Sequence, residues 1–216
     1  PIKEYTIGIV GVGHVGKIVE AWAHQLGMRV LVCDPPRAEV ECTNNFVSLA
    51  EIAEQCDIIT FHTPLTKEGK YPTHHICNAS FLASLKHRPI VINCARGAIF
   101  DTQAVIDALD NGVVSNLIVD CWEGEPHLNA DLLRKAVIAT PHIAGYSREG
   151  KIRATAMALD SLARHFNLTI PSVAEGIPIG AAKSVTIQSI KESYNPLIDT
   201  RALKTSPQQF ESLRNG

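Results

Sequence analysis

Arg96, Glu125 and His142 are the residues whose types and positions suit joint chemistry. Each lies just past a run that reads as a strand: Arg96 after residues 90–93, Glu125 after 116–120 and His142 after 137–139. In an open α/β sheet, ligands bind at the carboxyl ends of the strands, so the three groups converge on one place. Imidazole titrates near neutral pH and takes the proton of a hydroxyl. A carboxylate beside it orients the ring and stabilises the imidazolium, the job of the acid in a serine protease triad. An arginine fork holds a carboxylate by two hydrogen bonds and polarises a nascent carbonyl. The set suits oxidation of a 2-hydroxy acid by hydride transfer. Taken singly, each residue has a plainer reading, as a structural histidine, a surface arginine and a loop glutamate.

Hydride transfer needs a dinucleotide, and Gly11-Val12-Gly13-His14-Val15-Gly16 is a G-x-G-x-x-G turn. The motif gains meaning from following a strand and opening a helix. Gly11 permits the tight turn, Gly13 lets the backbone approach a pyrophosphate, and Gly16 lets the helix pack against the strand. The exposed N–H groups of the helix then meet the phosphates. His14 and Val15 fill the variable positions of this cofactor cradle, with His14 facing solvent. Asp34 closes the next strand, where a carboxylate accepts hydrogen bonds from the adenine ribose and repels a 2′-phosphate. That favours NAD over NADP, although Arg37 is of a type that holds a 2′-phosphate.

The elements that must position these residues follow from the hydrophobic pattern. Strands are expected at 6–10, 29–33, 57–61, 89–93, 116–120 and 137–139, and helices at 14–26, 48–55, 78–85 and 101–110, the last with Asp101 as N-cap. The strands are continuous apolar runs, as in sheets buried on both faces. Alternation of strand and helix at this spacing predicts a doubly wound parallel sheet, a Rossmann-type domain. After His142 the pattern changes: Ile152, Ala156, Leu159, Ala163 and Phe166 recur at helical spacing, giving an amphipathic helix over 149–166. Beyond it, Pro171, Gly176, Pro178 and Gly180 break the chain, with a strand expected at 185–187 and a short helix at 207–213.

Composition bounds the function classes. The 216 residues are 45% hydrophobic with a net charge of −2, which gives no electrostatic case for nucleic acid or an anionic membrane. No apolar stretch approaches membrane-spanning length, and no signal peptide is read at the start. The six cysteines, at 33, 42, 56, 77, 94 and 121, form no C-x-x-C pair and sit mostly in apolar runs. They read as buried small hydrophobes in a reducing, cytoplasmic compartment. His74-His75 lies in a polar loop with no acid or cysteine at ligand spacing, so no metal is expected.

Gly11 to Gly16, Asp34, Thr63-Pro64-Leu65, Asn93-Cys94-Ala95-Arg96-Gly97, Asp120-Cys121-Trp122-Glu123-Gly124-Glu125-Pro126 and Thr140-Pro141-His142-Ile143-Ala144-Gly145 together resemble the D-2-hydroxyacid dehydrogenases in order and spacing. The resemblance implies that Arg96 and Glu125 are catalytic and that His142 is the proton donor or acceptor. It implies NAD contacts from Asp34, Thr63, Cys94, Ala95, Arg96, Asp120 and Gly145, and substrate contacts from Tyr146 beside Arg96 and His142. Cys33-Asp34-Pro35-Pro36-Arg37, Trp122-Glu123-Gly124-Glu125-Pro126 and His142-Ile143-Ala144-Gly145-Tyr146-Ser147 resemble the members that oxidise a phosphorylated four-carbon 2-hydroxy acid in pyridoxine 5′-phosphate synthesis. Those members are homodimers, and residues 194–214 look like the start of their dimerisation region. The expected division is a cofactor domain at 1–147, a returning helix and linker of the substrate domain at 148–180, and the start of the dimerisation region at 181–216. The leading part of the substrate domain is expected to be absent, and with it the activity of the chain alone. Two alternatives stay open: a family member acting on phosphoglycerate, glyoxylate or D-lactate, and a non-catalytic NAD-binding sensor or corepressor on the same fold.

Overall fold

The computed structural model describes residues 1–43, 45–171 and 184–215. Six strands, β1 (Thr6–Val10), β2 (Arg29–Cys33), β3 (Ile58–Phe61), β4 (Ile90–Asn93), β5 (Asn116–Val119) and β6 (Ile138–Ala139), form one sheet in the order β2-β1-β3-β4-β5-β6. Every pairing is parallel. Around it run α1 (His14–Gln25), α2 (Pro35–Glu41), α3 (Leu49–Gln55), α4 (Ala79–Ala83), α5 (Thr102–Asp110) and α6 (Ala130–Lys135). Then follow α7 (Arg148–Phe166), α8 (Ile187–Ser193), α9 (Pro196–Thr205) and α10 (Phe210–Asn215). The chain reverses direction across the sheet between β1 and β3. In such sheets that switch point opens the crevice where ligands sit.

Apolar side chains on both faces of the strands explain the arrangement. All five residues of β1 are buried, and the core below the sheet centres on Phe61, whose ring meets Phe81 and Phe100 edge-on at 6.1 and 5.7 Å. Edge-to-face rings add about 0.5–1.5 kcal/mol beyond the area they bury. Caps set the helix starts. The Asp101 side chain accepts from Ala104 N at the head of α5, and Ser48 and Glu51 form a reciprocal capping box at α3.

Besides α8, three helices had no counterpart in the sequence reading, namely α2, α6 and α9. Each begins at a side-chain cap: Asp34, Asn129 and Asn195. Two of them carry proline in the first turn, where a missing N–H costs nothing. The strand expected at 185–187 is corrected to a helix start. Thr186 caps α8, accepting from Ser189 N, while Ser189 accepts from Thr186 N. The hydroxyl thus overrides the β-branched preference of Val185, Thr186 and Ile187. The breaks expected at 176, 178 and 180 lie outside the described residues.

The C-terminal helices pack on the sheet. Leu203 of α9 and Phe210 of α10 are fully buried in the main core, and Thr200 Oγ1 accepts from Ala139 N of edge strand β6 at 3.1 Å. By contrast, none of the described side chains of α7 is buried, although Ile152, Ala156, Leu159 and Ala163 fall on one half-buried face.

Candidate active site

At the end of β1, Gly11 adopts φ +90°, a conformation open to glycine at little cost. A Cβ there would meet Thr63 N at 2.7 Å, and one on Gly16 would meet Gly11 O at 2.2 Å. Helix and turn therefore pack at a distance that only hydrogen side chains allow. Gly13, in contrast, faces open space. Thr63, at the end of β3 across the crevice, holds a buried Oγ1 without a hydrogen-bond partner. An exposed helix start, an unfilled approach at Gly13 and an orphan hydroxyl suit a dinucleotide phosphate. His14 and Val15 are exposed on the first turn of α1.

Asp34 caps α2 through Arg37 N and also accepts from Val12 N at 2.8 Å. The carboxylate is thereby fixed beside the turn, in a cavity of about 350 Å³ lined by Gly11, Asp34, Thr63 and Tyr71. Arg37 is tied to its own surroundings. Its Nη1 donates to Val12 O at 2.7 Å, its Nε and Nη2 hold Glu41, and its guanidinium lies 5.0 Å over the Phe46 ring. The Nε–Nη2 fork is thus taken by Glu41 rather than presented to a 2′-phosphate.

Val15, Thr63, Cys94, Ala95 and Arg96 line one further cavity between β1, β3 and β4. His62 lines it too, and burial pushes its imidazole below the ordinary range. Arg96 is exposed, with Nη1 on Ala95 O at 2.7 Å. The peptide under it is fixed by fully buried Asn93, whose Nδ2 donates to Arg96 O and Cys121 O while Oδ1 accepts from Ala95 N.

His142 and Glu125 meet directly, Nδ1 to Oε2, at 2.8 Å. Ionised carboxylate is acceptor only, so Nδ1 carries the hydrogen and Nε2 is left for a reacting group. The other Glu125 oxygen accepts from Trp122 N at 2.7 Å. His142 has φ +56°, a left-handed conformation that costs a non-glycine residue about 1–3 kcal/mol and persists when surroundings over-determine it. Asp120 supplies that constraint. Its carboxylate, 3% exposed, accepts from Thr140 Oγ1 at 2.6 Å, Ile143 N at 2.8 Å and Ala144 N at 3.1 Å. Trp122 Nε1 adds a bond to Thr140 O. Tyr146 lies with its ring 6.3 Å from that of His142, and Gly145 beside it is open to solvent.

Several of these supports escaped the sequence reading. Gly97 is one: its Cβ would lie 2.0 Å from Trp122 O, so the loop bearing Arg96 rides on the loop bearing Glu125. Glu123 is another, and it corrects the view of His74-His75 as a pair without an acid. His75 Nε2 meets Glu123 Oε1 at 2.6 Å, and Glu123 Oε2 accepts from Thr102 Oγ1 at 2.7 Å. The acid comes from 48 residues away, a separation that local spacing does not register. The ligand atoms of His74, His75 and Glu123 lie within 4.8 Å of one another, but the two rings stack at 4.0 Å and both Glu123 oxygens already serve protein donors.

This geometry has a family. The model described as "D-isomer specific 2-hydroxyacid dehydrogenase, NAD binding domain" matches residues 1–144, and the chain belongs to that family, with NAD as the cofactor of this domain. Among curated relatives, erythronate-4-phosphate dehydrogenase of Bacteroides thetaiotaomicron is 48% identical over 215 residues, covering 98% of this chain and 62% of the relative. That of Porphyromonas gingivalis is 42% identical over 224 residues, covering 99% and 61%. The chain thus spans about three fifths of the length of these relatives. Among solved structures, D-lactate dehydrogenase from Aquifex aeolicus, complexed with NAD and lactic acid, is similar with TM-score 0.63 and 27% identity, covering 77% of this chain and 54% of that one. A glyoxylate reductase from Paecilomyes thermophila gives TM-score 0.64 and 30% identity, covering 79% and 52%. Among the described residues, no helix is long and apolar enough to cross a membrane.

Proposed function

We propose that this chain is the cofactor and acid–base half of an NAD-dependent dehydrogenase. It would oxidise 4-phospho-D-erythronate to (R)-3-hydroxy-2-oxo-4-phosphooxybutanoate, in a cytoplasmic homodimer of pyridoxine 5′-phosphate synthesis. The observation that carries the chemistry is the 2.8 Å bond from His142 Nδ1 to Glu125, which leaves Nε2 free at the end of the sheet. Arg96 holds the substrate carboxylate, and Tyr146 borders the rest of the substrate. Bound NAD⁺ would supply the hydride acceptor for C2–H. Nε2 of His142 would take the proton of the C2 hydroxyl, leaving the 2-oxo acid and an imidazolium that Glu125 stabilises. Asp34 faces the adenine ribose, and the turn from Gly11 to Gly16 with Thr63 takes the pyrophosphate. Cys94, Ala95, Asp120 and Gly145 border the nicotinamide end. We assign 1–147 to the cofactor unit, 148–180 to the return toward the substrate domain and 181–216 to the approach to the dimerisation region. The identity to erythronate-4-phosphate dehydrogenases exceeds that to the lactate and glyoxylate enzymes, which favours the phosphorylated substrate.

The test is a panel of 2-hydroxy acids with NAD⁺ on the full-length enzyme. The expected result is the highest kcat/KM for 4-phosphoerythronate. Faster oxidation of D-lactate, glycolate or 3-phosphoglycerate would replace the substrate, and NADH binding without any turnover would make the protein a sensor.

A further inference from the structure

The dyad of His142 and Glu125 leaves unexplained what gathers around Tyr146. Lys151 Nζ lies 4.6 Å and Arg214 Cζ 4.0 Å from the centroid of that one ring. The lysine belongs to α7 and the arginine to α10, so the fold brings them together from distant parts of the chain. Like charges repel, and a pair drawn together is normally neutralised by a carboxylate. Here, among the described residues, neither cation has an ion pair. Arg214 Nε is moreover buried without a hydrogen-bond partner, a state that costs about 1–3 kcal/mol or more for a charged group. Beside them is a cavity of about 490 Å³ lined by Ile143, Tyr146, Ser147, Tyr194, Asp199 and Arg214. Its carboxylate, Asp199, accepts the hydroxyl hydrogen of Tyr194.

We propose that Lys151 and Arg214, arrayed on Tyr146, form the subsite for the phosphate monoester of the substrate. This rests on the reading of the substrate as a 4-phosphorylated 2-hydroxy acid. Distance agrees. Arg214 Cζ lies no farther from the His142 ring than its 4.0 Å to Tyr146 and the 6.3 Å between the rings together allow. In the substrate, two carbons and an ester oxygen separate the reacting carbon from phosphorus, a span of that order. Chemistry agrees as well. A guanidinium stacked on an aromatic face keeps its donors at the rim, aimed outward in the planar fork that matches phosphate oxygens. Lys151 adds a point charge, and the Tyr146 hydroxyl is a further donor. Two charges above what an unphosphorylated acid requires would make this cluster the source of selectivity for the phosphorylated one.

The test compares 4-phosphoerythronate, erythronate and inorganic phosphate on the full-length enzyme and on its Arg214→Gln and Lys151→Met variants. The wild type should prefer the phosphorylated acid, and inorganic phosphate should compete with it. Each variant should lose about tenfold or more of that preference and of phosphate competition, with NADH affinity unchanged and melting temperature not lowered. α10 is anchored by buried Phe210 rather than by Arg214, so the glutamine variant retains its packing. Arg214→Lys should restore part of the preference. If the wild type discriminates and the variants still do, the subsite lies elsewhere while the substrate reading stands. If 4-phosphoerythronate is not a substrate but phosphate binding still depends on Arg214, the subsite stands and the substrate reading falls. Phosphate binding that is absent from the wild type, with no preference between the two acids, overturns both.

Discussion

The glycine turn at β1 and the loops after β4, β5 and β6 hold their functional groups by opposite means. The turn works by what is missing: Gly11, Gly13 and Gly16 remove side chains so that backbone meets backbone and ligand. The loops work by what is tied down. Asn93 and Asp120 fix the peptides beside Arg96 and His142, while Glu123 and Glu125 tie their own loop to Thr102 and Trp122. A cradle for a ligand common to many proteins can be written locally. A dyad in a strained conformation needs restraint from several strands at once, since packed loops misplaced by a fraction of an ångström lose the geometry of proton transfer.

The difference is open to direct attack. In the full-length enzyme, His142→Ala should cut turnover by about 10²–10⁴-fold, the range for a positioned acid–base group, while NADH titration by fluorescence stays near wild type. Equal losses in both would show that the two regions are one unit. The next largest effect belongs to Gly97→Ala. A Cβ placed 2.0 Å from Trp122 O must push the Arg96 and Glu125 loops apart, at a cost of about 1–3 kcal/mol by urea unfolding. A neutral result there would mean that the two loops move freely.

A smaller effect concerns Glu123. Burial pushes its carboxyl up, but bonds from His75 and Thr102 outweigh it and hold the group below its usual 4.5. A depressed carboxyl contributes stability above its unfolded value and loses it as pH falls through the folded one. The stability gap between wild type and Glu123→Gln should therefore be full at neutral pH and shrink as pH falls below about 4.5. A gap that grows in acid would reverse the sign. The smallest expected effect is chemical labelling. Burial pushes the thiols of Cys33, under the turn, and Cys94, in the loops, up to about 11 and about 12. A thiol reagent at neutral pH should label exposed Cys42 first and leave both regions unmodified. Early labelling of Cys94, read by mass spectrometry, would show that the loops open.

The same contrast decides what could be read in the sequence. β1 and β2 have the bounds their apolar runs predict, and the Gly11 turn announces itself because its glycines are both signal and mechanism. Arg96, Glu125 and His142 could be placed at strand ends because β4, β5 and β6 are legible as continuous apolar runs. Their supports could not. Asp120 reaches 23 residues to Ile143, and His75 reaches 48 to Glu123. Such bonds leave no periodicity, and an aspartate after a strand looks the same whether it anchors a loop or faces solvent. Short capped helices such as α2 escape for a related reason, since seven residues started by the Asp34 cap carry too little periodicity to register.

The bond from Ala139 to Thr200 has a consequence for how the protein is made. Each strand from β3 onward adds to an edge already laid down, so the sheet can grow outward as the chain emerges from the ribosome, with domains forming from their N-terminal side. β6 completes that sequence with a two-residue edge, and its covering hydroxyl lies 61 residues further along. For the time taken to synthesise that stretch, the newest edge stands open to strand addition by another chain. Arrival of α9 ends that interval, which makes the last part of the described chain the guard of the nascent sheet.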